Sequence, residues 1–376
     1  MSTNHRILYI QYTNPANYPP LEHSSRILAD AGWDVRLLGT RSGRDDLAVP
    51  DHPRIKVRGG QGVAPGAMQK LNYLSYAASV LSEVARWRPS WVYASDLWSC
   101  PIAVAALRFG CRAIYHEHDE PPHTGSMFLR SCLRSRRTLA RRAAVCVLPN
   151  EQPRVRFAME HPEAHTVRVW NCPSLAEVQP PRTEGGDRKT FKLYYHGSLG
   201  APLVPPALLG AVRLLPGDVR LRLIGYETIG SQGYVDALRL QARNFGIEAR
   251  IEWKGKVNRN QLWPQMRDAA VGISLVPRSS SEPNLEALAG ASNKTFDYLA
   301  AGLALLITDR PDWTEMFGDY GFACDPENPD SIAGALMELY TDRAVTRSLG
   351  ESGRQRIREE WNYERQFEHV LELLNA

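Results

Sequence analysis

The stretch Ser292–Thr308, SNKTFDYLAAGLALLIT, carries two signals that pull against each other. Ser292 and Asn293 are good helix N-cap residues and Gly302 is a natural stop. The spacing predicts a helix of about eight residues, roughly 12 Å long, leading into a buried strand ALLIT at 304–308. Lys294 falls in the first turn, where unpaired amide N–H groups and about half a positive charge already sit. Helix stability alone disfavours a lysine there, and a bound anion would remove the conflict. Asp297 lies one turn beyond Asn293 on the same face. A carboxylate so placed can accept hydrogen bonds from ribose hydroxyls, each contributing roughly 1.5–3 kcal/mol. The residues fit a nucleoside diphosphate laid across a helix start. They fit equally a capped helix with an exposed Lys–Asp pair contributing about 0.2–0.5 kcal/mol.

Outward from this stretch the pattern is regular. FKLYYHG (191–197), LRLIGY (221–226), ARIEWKGKV (249–257) and AVGISLVP (270–277) read as strands, with helical patterns at 203–215, 231–246 and 259–269 between them. A similar alternation fills the first half. RILYIQY (6–12), WDVRLLGT (33–40), SWVYASD (90–96), CRAIYHEHD (111–119), AVCVLPN (144–150) and VRVWNCP (167–173) read as strands. Helices are expected at 21–32, 72–87, 101–109 and 127–143. Such alternation implies parallel strands with helices on both faces. PSLAEVQPPRTEGGDRKT (173–190), rich in proline, glycine and charge, reads as a linker. The expected organisation is two doubly wound, Rossmann-like domains facing a cleft, at 1–178 and 191–355, joined by 179–190 and closed by a terminal helix at 356–376. Ligands of such sheets bind outside the carboxyl ends of the strands.

Composition narrows the function classes. The chain has 376 residues, 43% hydrophobic and 23% charged, with a formal net charge of +4, which by itself does not indicate nucleic acid. Its six cysteines form no CxxC pair and read as free thiols in a reducing compartment. MSTNHRILYIQY has no signal-peptide pattern, and no apolar run approaches the roughly 18 residues of a membrane span, so a cytoplasmic enzyme is expected. No GxGxxG follows RILYIQY, which leaves a nicotinamide dehydrogenase poorly supported.

The order strand, polar loop, NKTFDYLAAGLALLIT resembles the donor-binding signature of the GT-B glycosyltransferases, and of glycosyltransferase family four in particular. There Lys–Leu–Tyr/Phe–Glu–Tyr–hydrophobic–Ala–x–Gly precedes a buried strand. YYHGSLG (194–200), IEWKGKVNRNQLWPQMRDAAVGISLVP (251–277), REEWNYERQFEHVLELL (358–374) and YHEHDEPP (115–122) resemble further segments in the family's order. The resemblance implies a retaining transfer from a nucleoside-diphosphate sugar, with a uridine nucleotide preferred, as a substrate and without a cofactor. It implies donor contacts at Gly197, Ser198, Gly200, Arg278, Ser292, Asn293, Lys294, Thr295 and Asp297, and catalytic roles for His118, Asp119 and Lys294. Two departures stand out. The first acid of the family's Glu–x₇–Glu pair is replaced by Ala289, and GSLGAPLVPP lacks the usual diphosphate-gripping Arg and Lys. Arg278 is the candidate substitute, or else a solvated arginine of RSSSEPN.

His116 and His118 share one face if their strand persists, and His123 is near. No cysteine completes a zinc set and no Asp–x–Asp occurs, so no metal site is expected. Glu117 and Asp119 are alternative bases to a departing phosphate oxygen. Arg130, Arg134, Arg136, Arg137, Arg141 and Arg142 lie in an acid-free stretch with Met127, Phe128, Leu129 and Leu133. This helix, 127–143, reads as either an anionic membrane surface contact or a solvated face. Aromatic residues are not interleaved there in a nucleic-acid pattern. The expected acceptor is a glycan, a lipid-linked molecule or a small molecule. The rivals are a sugar-nucleotide epimerase of the same architecture and a non-catalytic sugar-nucleotide-binding protein.

Overall fold

A computed structural model describes residues 5–41, 51–61, 67–122, 125–181 and 190–375. His123 and most of the predicted linker lie outside the described residues. The chain divides into two units, Met1–Asn171 with Tyr363–Ala376, and Cys172–Asn362. The divisions fall at 171/172 and 362/363, where the sequence pattern places them at 178 and 355.

Among the described residues the first unit holds seven strands: β1 (Arg6–Ile10), β2 (Asp34–Arg41), β3 (Ile55–Gln61), β4 (Trp91–Ser95), β5 (Arg112–His116), β6 (Val145–Leu148) and β7 (Thr166–Arg168). They form one sheet in the order β3-β2-β1-β4-β5-β6-β7, every pair parallel. The second unit holds β8 (Phe191–Ser198), β9 (Val219–Tyr226), β10 (Ile251–Lys254), β11 (Val271–Ser274), β12 (Ala304–Thr308) and β13 (Gly321–Cys324). Their order is β10-β9-β8-β11-β12-β13, again all parallel. Each sheet therefore reverses its winding once, between β1 and β4 and between β8 and β11. Crevices at the carboxyl ends of those strand pairs are where ligands bind in such folds.

The pattern is missed where it is weak. β3 is an edge strand whose IKVRGGQ mixes charge and glycine. The Glu151–Glu160 helix, EQPRVRFAME, buries only Phe157 and carries a proline in its first turn. The helices Pro311–Phe317 and Pro329–Thr341, strand β13 and all but the last residues of the helix Arg343–Glu359 lie in a segment to which the pattern assigned nothing. The expected terminal helix at 356–376 is divided. Its first residues close the Arg343–Glu359 helix of the second unit, and a new helix, Tyr363–Asn375, belongs to the first. Tyr363, Phe367, Val370 and Leu374 recur at helical spacing and enter one core cluster with Ile7, Tyr9, Leu21, Leu28 and Trp33.

The opening stretch forms the helix Asn293–Ala300 and strand β12. Gly302 has a φ of +70°, the left-handed conformation that stops a helix and that glycine adopts without strain. Residues 295–300 are all buried. Tyr298 fixes the helix to the sheet twice over. Its ring fills the space beside Gly272 of β11, where an added Cβ would lie 2.4 Å from the ring, and its hydroxyl accepts the His196 amide at 3.1 Å. Gly272→Ala would force this helix off the sheet.

Candidate active site

In the second unit β8 carries Tyr195, His196 and Gly197 out to the switch point beside β11. Gly197 has a φ of +131°, and a Cβ there would lie 2.9 Å from the Lys294 Cδ, so the lysine stem runs along bare backbone. The Lys294 ammonium stands 5.8 Å from the Tyr195 ring centroid. Among the described residues, no carboxylate lies within ion-pair distance of it. Burial pushes its pKa down from 10.5 to about 8, against the opposing pull of Asp297. Ser292, the N-cap residue, places no side-chain hydrogen bond on the first-turn amides. The Asn293 Oδ1 is buried without a partner among the described residues. A cation without an ion pair among the described residues, helix amides that Ser292 does not cap and a bare glycine strand end share one spot. Such an arrangement recognises an anion.

Beneath Lys294 lies a charge network with no counterpart in the sequence pattern. Asp297 is 1% exposed. Its Oδ1 accepts from the Arg259 Nη2 at 2.8 Å and its Oδ2 from Nη1 at 3.0 Å. The same guanidinium donates through Nε and Nη2 to Glu177, at 2.7 and 2.9 Å. The His196 Nε2 stands 3.3 Å from the Asp297 Oδ2, and its Nδ1 is buried with no partner among the described residues. Burial alone would raise the Asp297 pKa, but Arg259 and His196 together hold it below the usual carboxylate range.

The first unit gathers a second polar cluster where β1, β4 and β5 end. Gln11 donates to Thr13 at 2.7 Å and to Asp96 at 3.5 Å, while its Oε1 is buried without a partner among the described residues. Asp96 has a φ of +75°, rare for a residue with a side chain, and its carboxylate accepts the Leu97 amide at 3.3 Å. Burial raises its pKa, opposed by hydrogen bonds from Gln11, the Leu97 amide and Tyr18. His118 lies 2.8 Å from the Ser95 hydroxyl, with its ring 4.0 Å from that of His116 and 5.0 Å from that of Tyr18. Burial pushes its pKa down to about 4, against the charge of Asp119, so it is neutral at physiological pH. Asp119 is exposed at the rim.

Two family descriptions match the chain, "Glycosyl transferase 4-like domain" over residues 21–172 and "Glycosyl transferases group 1" over 189–356. The chain is a GT-B glycosyltransferase. Sucrose-phosphate synthase from Thermosynechococcus elongatus superposes with a TM-score of 0.73 at 15% identity, covering 98% of each chain. HepE from Anabaena, solved with UDP and glucose, gives 0.72 at 16% identity, covering 98% of this chain and 99% of that one. A curated relative is the UDP-N-acetylglucosamine–N-acetylmuramyl-(pentapeptide) pyrophosphoryl-undecaprenol N-acetylglucosamine transferase of Ralstonia nicotianae. It is 27% identical over 235 residues, 60% of this chain, and the match spans only 58% of that relative's length.

The glycosyltransferase brings some of the expected residues together and disperses others. Lys294 and Gly197 meet, with Ser292 and Asn293 at the same helix start. Thr295 does not face a ligand. It is fully buried, and its hydroxyl bonds the Ser274 hydroxyl at 2.7 Å, tying the helix to β11. Asp297 is neither exposed nor paired to Lys294. Without nucleotide both its oxygens are engaged, by Arg259 and by His196, where a solvent-facing ribose acceptor was expected. Arg278 does not join Lys294 either; its exposed guanidinium is bound by Asp309 and, at 3.0 Å, by Asp325. Gly200 sits with Ser231, which a Cβ there would approach to 3.4 Å, and Ser198 ends β8, its carbonyl accepting the Tyr195 hydroxyl at 2.6 Å.

Glu117 is withdrawn as a base. It is buried against Arg136, at 2.5 and 2.8 Å, and accepts from Tyr115 at 2.6 Å. Arg136 is thereby withdrawn from the basic face of the Met127–Arg142 helix. Arg130, Arg134, Arg137, Arg141 and Arg142 stay exposed. A pocket of about 580 Å³ beside that helix is lined by Arg136, Arg137, Arg141, Glu160 and Glu163 among others. Its Arg136 also bonds Glu117, next to His118, and two of its arginines, Arg136 and Arg141, are answered by Glu160 and Glu163 of the same pocket. Gln11, Asp96, Glu177, His196 and Arg259 are the residues the sequence reading missed. His196, directly before the glycine turn, and Asp96, directly after a buried strand, stood where strand ends could have marked them.

Proposed function

We propose that this glycosyltransferase moves a sugar from a uridine-diphosphate donor, held by the second unit, to a hydroxyl-bearing acceptor. The observation that carries the reading is Lys294, a half-buried cation without an ion-pair partner among the described residues, at an uncapped helix start. HepE has been solved with UDP and with UDP-glucose, and the curated relative is named for a UDP-sugar, which supports the choice of nucleotide.

The chemistry follows from charge. As the bond between the anomeric carbon and the phosphate oxygen breaks, the diphosphate gains negative charge. Lys294 and the amides of the helix start are already oriented toward it, so little reorganisation is required. They supply the electrostatic stabilisation a divalent cation gives elsewhere, so the transfer runs without a metal. Asp297 acts from below, its field favouring the charged form of Lys294. The departing phosphate oxygen takes the acceptor proton on the same face, which retains the anomeric configuration. Gln11, Asp96 and Asp119 offer hydrogen-bond acceptors in excess of donors. That suits a hydroxyl-rich acceptor, a glycan or a lipid-linked sugar of polysaccharide biosynthesis. The exposed arginines of the Met127–Arg142 helix, beside Met127 at 80% exposure, suit the anionic inner face of a membrane.

Calorimetric titration of UDP tests the reading. Lys294→Ala removes a charge-assisted contact of roughly 1.5–3 kcal/mol, so binding should weaken about tenfold to a hundredfold. Unchanged affinity in the folded variant overturns it.

A further inference from the structure

We propose that Arg259 is a positioning residue of the donor site: it occupies Asp297 so that this carboxylate does not neutralise Lys294. The proposal rests on the reading of Lys294 as the phosphate-binding cation. Lys294 and Asp297 are three residues apart in one helix, a spacing at which opposite charges ordinarily pair. In this structure they do not. The Asp297 carboxylate turns instead to the end of the Arg259 guanidinium, while the guanidinium's Nε side meets Glu177. Four hydrogen bonds in two forks fix the arginine from both sides. A lysine at 259 could not reproduce them, because an ammonium has no planar fork.

Charge bookkeeping gives the same answer. Asp297 and Glu177 bring two negative charges into a partly closed space, and Arg259 and Lys294 bring two positive ones. Since Arg259 spans both carboxylates, Lys294 is the one of the two cations left without an ion-pair partner among the described residues. The other groups facing this spot are His196, Tyr194 and Tyr195 from β8 and Tyr298 from the helix itself. None is an anion at neutral pH. Among the described residues, His196 is the rival for Asp297 once Arg259 is gone.

The experiment is a double-mutant cycle on UDP affinity, using Arg259→Met and Lys294→Met, between pH 7.5 and 10, with the Lys294→Met profile as the reference for the uracil ring's own loss of a proton in the upper part of that range. In the wild-type protein affinity should hold up to about pH 8 and fall above it, as Lys294 loses its proton. Arg259→Met should weaken UDP at least tenfold at pH 7.5 and move that fall to higher pH, because Asp297 now holds the proton on Lys294. In the Lys294→Met background the same substitution should cost less than threefold. Equal losses in both backgrounds, or an unmoved pH profile, would overturn the role of Arg259 while leaving the phosphate site intact. UDP affinity unaffected by Lys294→Met would overturn the phosphate site and this proposal with it. Arg259→Lys, expected to show an intermediate loss, replaces the methionine variant if that one does not fold.

Discussion

Replacing Lys294 by methionine should make the nucleotide-free protein more stable. The substitution keeps the apolar stem that lies along Gly197 and removes the ammonium. At neutral pH the lysine is charged in both the folded and unfolded chain, and the folded site holds that charge poorly. Its pKa of about 8 against 10.5 corresponds to roughly 3 kcal/mol, an upper figure for a side chain still reached by water; about 1–3 kcal/mol is the working range. The second unit spans Cys172–Asn362, a size at which each kcal/mol shifts the melting temperature by about 2–4 °C. The sign follows from proton counting. Between about pH 8 and 10.5 the unfolded chain binds a proton that the folded chain has released, so wild-type stability rises with pH there. The advantage of Lys294→Met should therefore be full below pH 8 and vanish toward pH 10.5. Urea denaturation of both proteins at pH 7, 9 and 10.5, without nucleotide, measures it. A variant less stable than wild type at pH 7, or a difference that ignores pH, would show that Lys294 is an ordinary structural lysine.

Asp96→Asn keeps the shape and removes the charge, and should raise the acceptor KM several-fold in initial-rate kinetics while leaving UDP affinity alone; Asp96→Gly, which removes the side chain from a positive φ, should raise the melting temperature while losing the same acceptor contact. Transfer should survive EDTA, and an activity lost to chelation and restored by manganese would refute the metal-free mechanism. Replacing Arg134, Arg137 and Arg141 by glutamine should abolish most binding to anionic vesicles in flotation assays, at about 1 kcal/mol per arginine, and spare UDP binding. Equal recovery on neutral lipid would reduce that helix to a solvated face.

The fold was legible because parallel sheets buried on both faces write themselves as apolar runs separated by helical periods. β1, β8 and β12 are such runs, and the helix at Asn293 announced itself through its cap residues and Gly302. Elements whose stability comes from contacts far along the chain did not. β3 pairs at an edge, and the Glu151–Glu160 helix anchors through one phenylalanine. The site was legible to the same degree. Lys294 could be read because its own helix start makes it anomalous. The surroundings of Asp297 could not be read, because its partner Arg259 is 38 residues away in sequence and brought to it only by folding. The partner of Arg278 was hidden for the same reason, since Asp309 is 31 residues distant.

The Tyr363–Asn375 helix has a consequence for synthesis. The first unit is built from the start of the chain and from its last helix, with the whole second unit translated in between. On a ribosome adding about 5–20 residues per second, the nascent first sheet waits on the order of ten to forty seconds for Tyr363, Phe367, Val370 and Leu374 to emerge. During that interval the cluster around Ile7, Tyr9, Leu21 and Leu28 lacks the four apolar side chains this helix adds, and the nascent chain should be a client for chaperones that bind such surfaces. A stop codon before Tyr363 would leave the second unit whole and the first permanently uncovered, so even a short loss at the carboxyl end should yield insoluble protein.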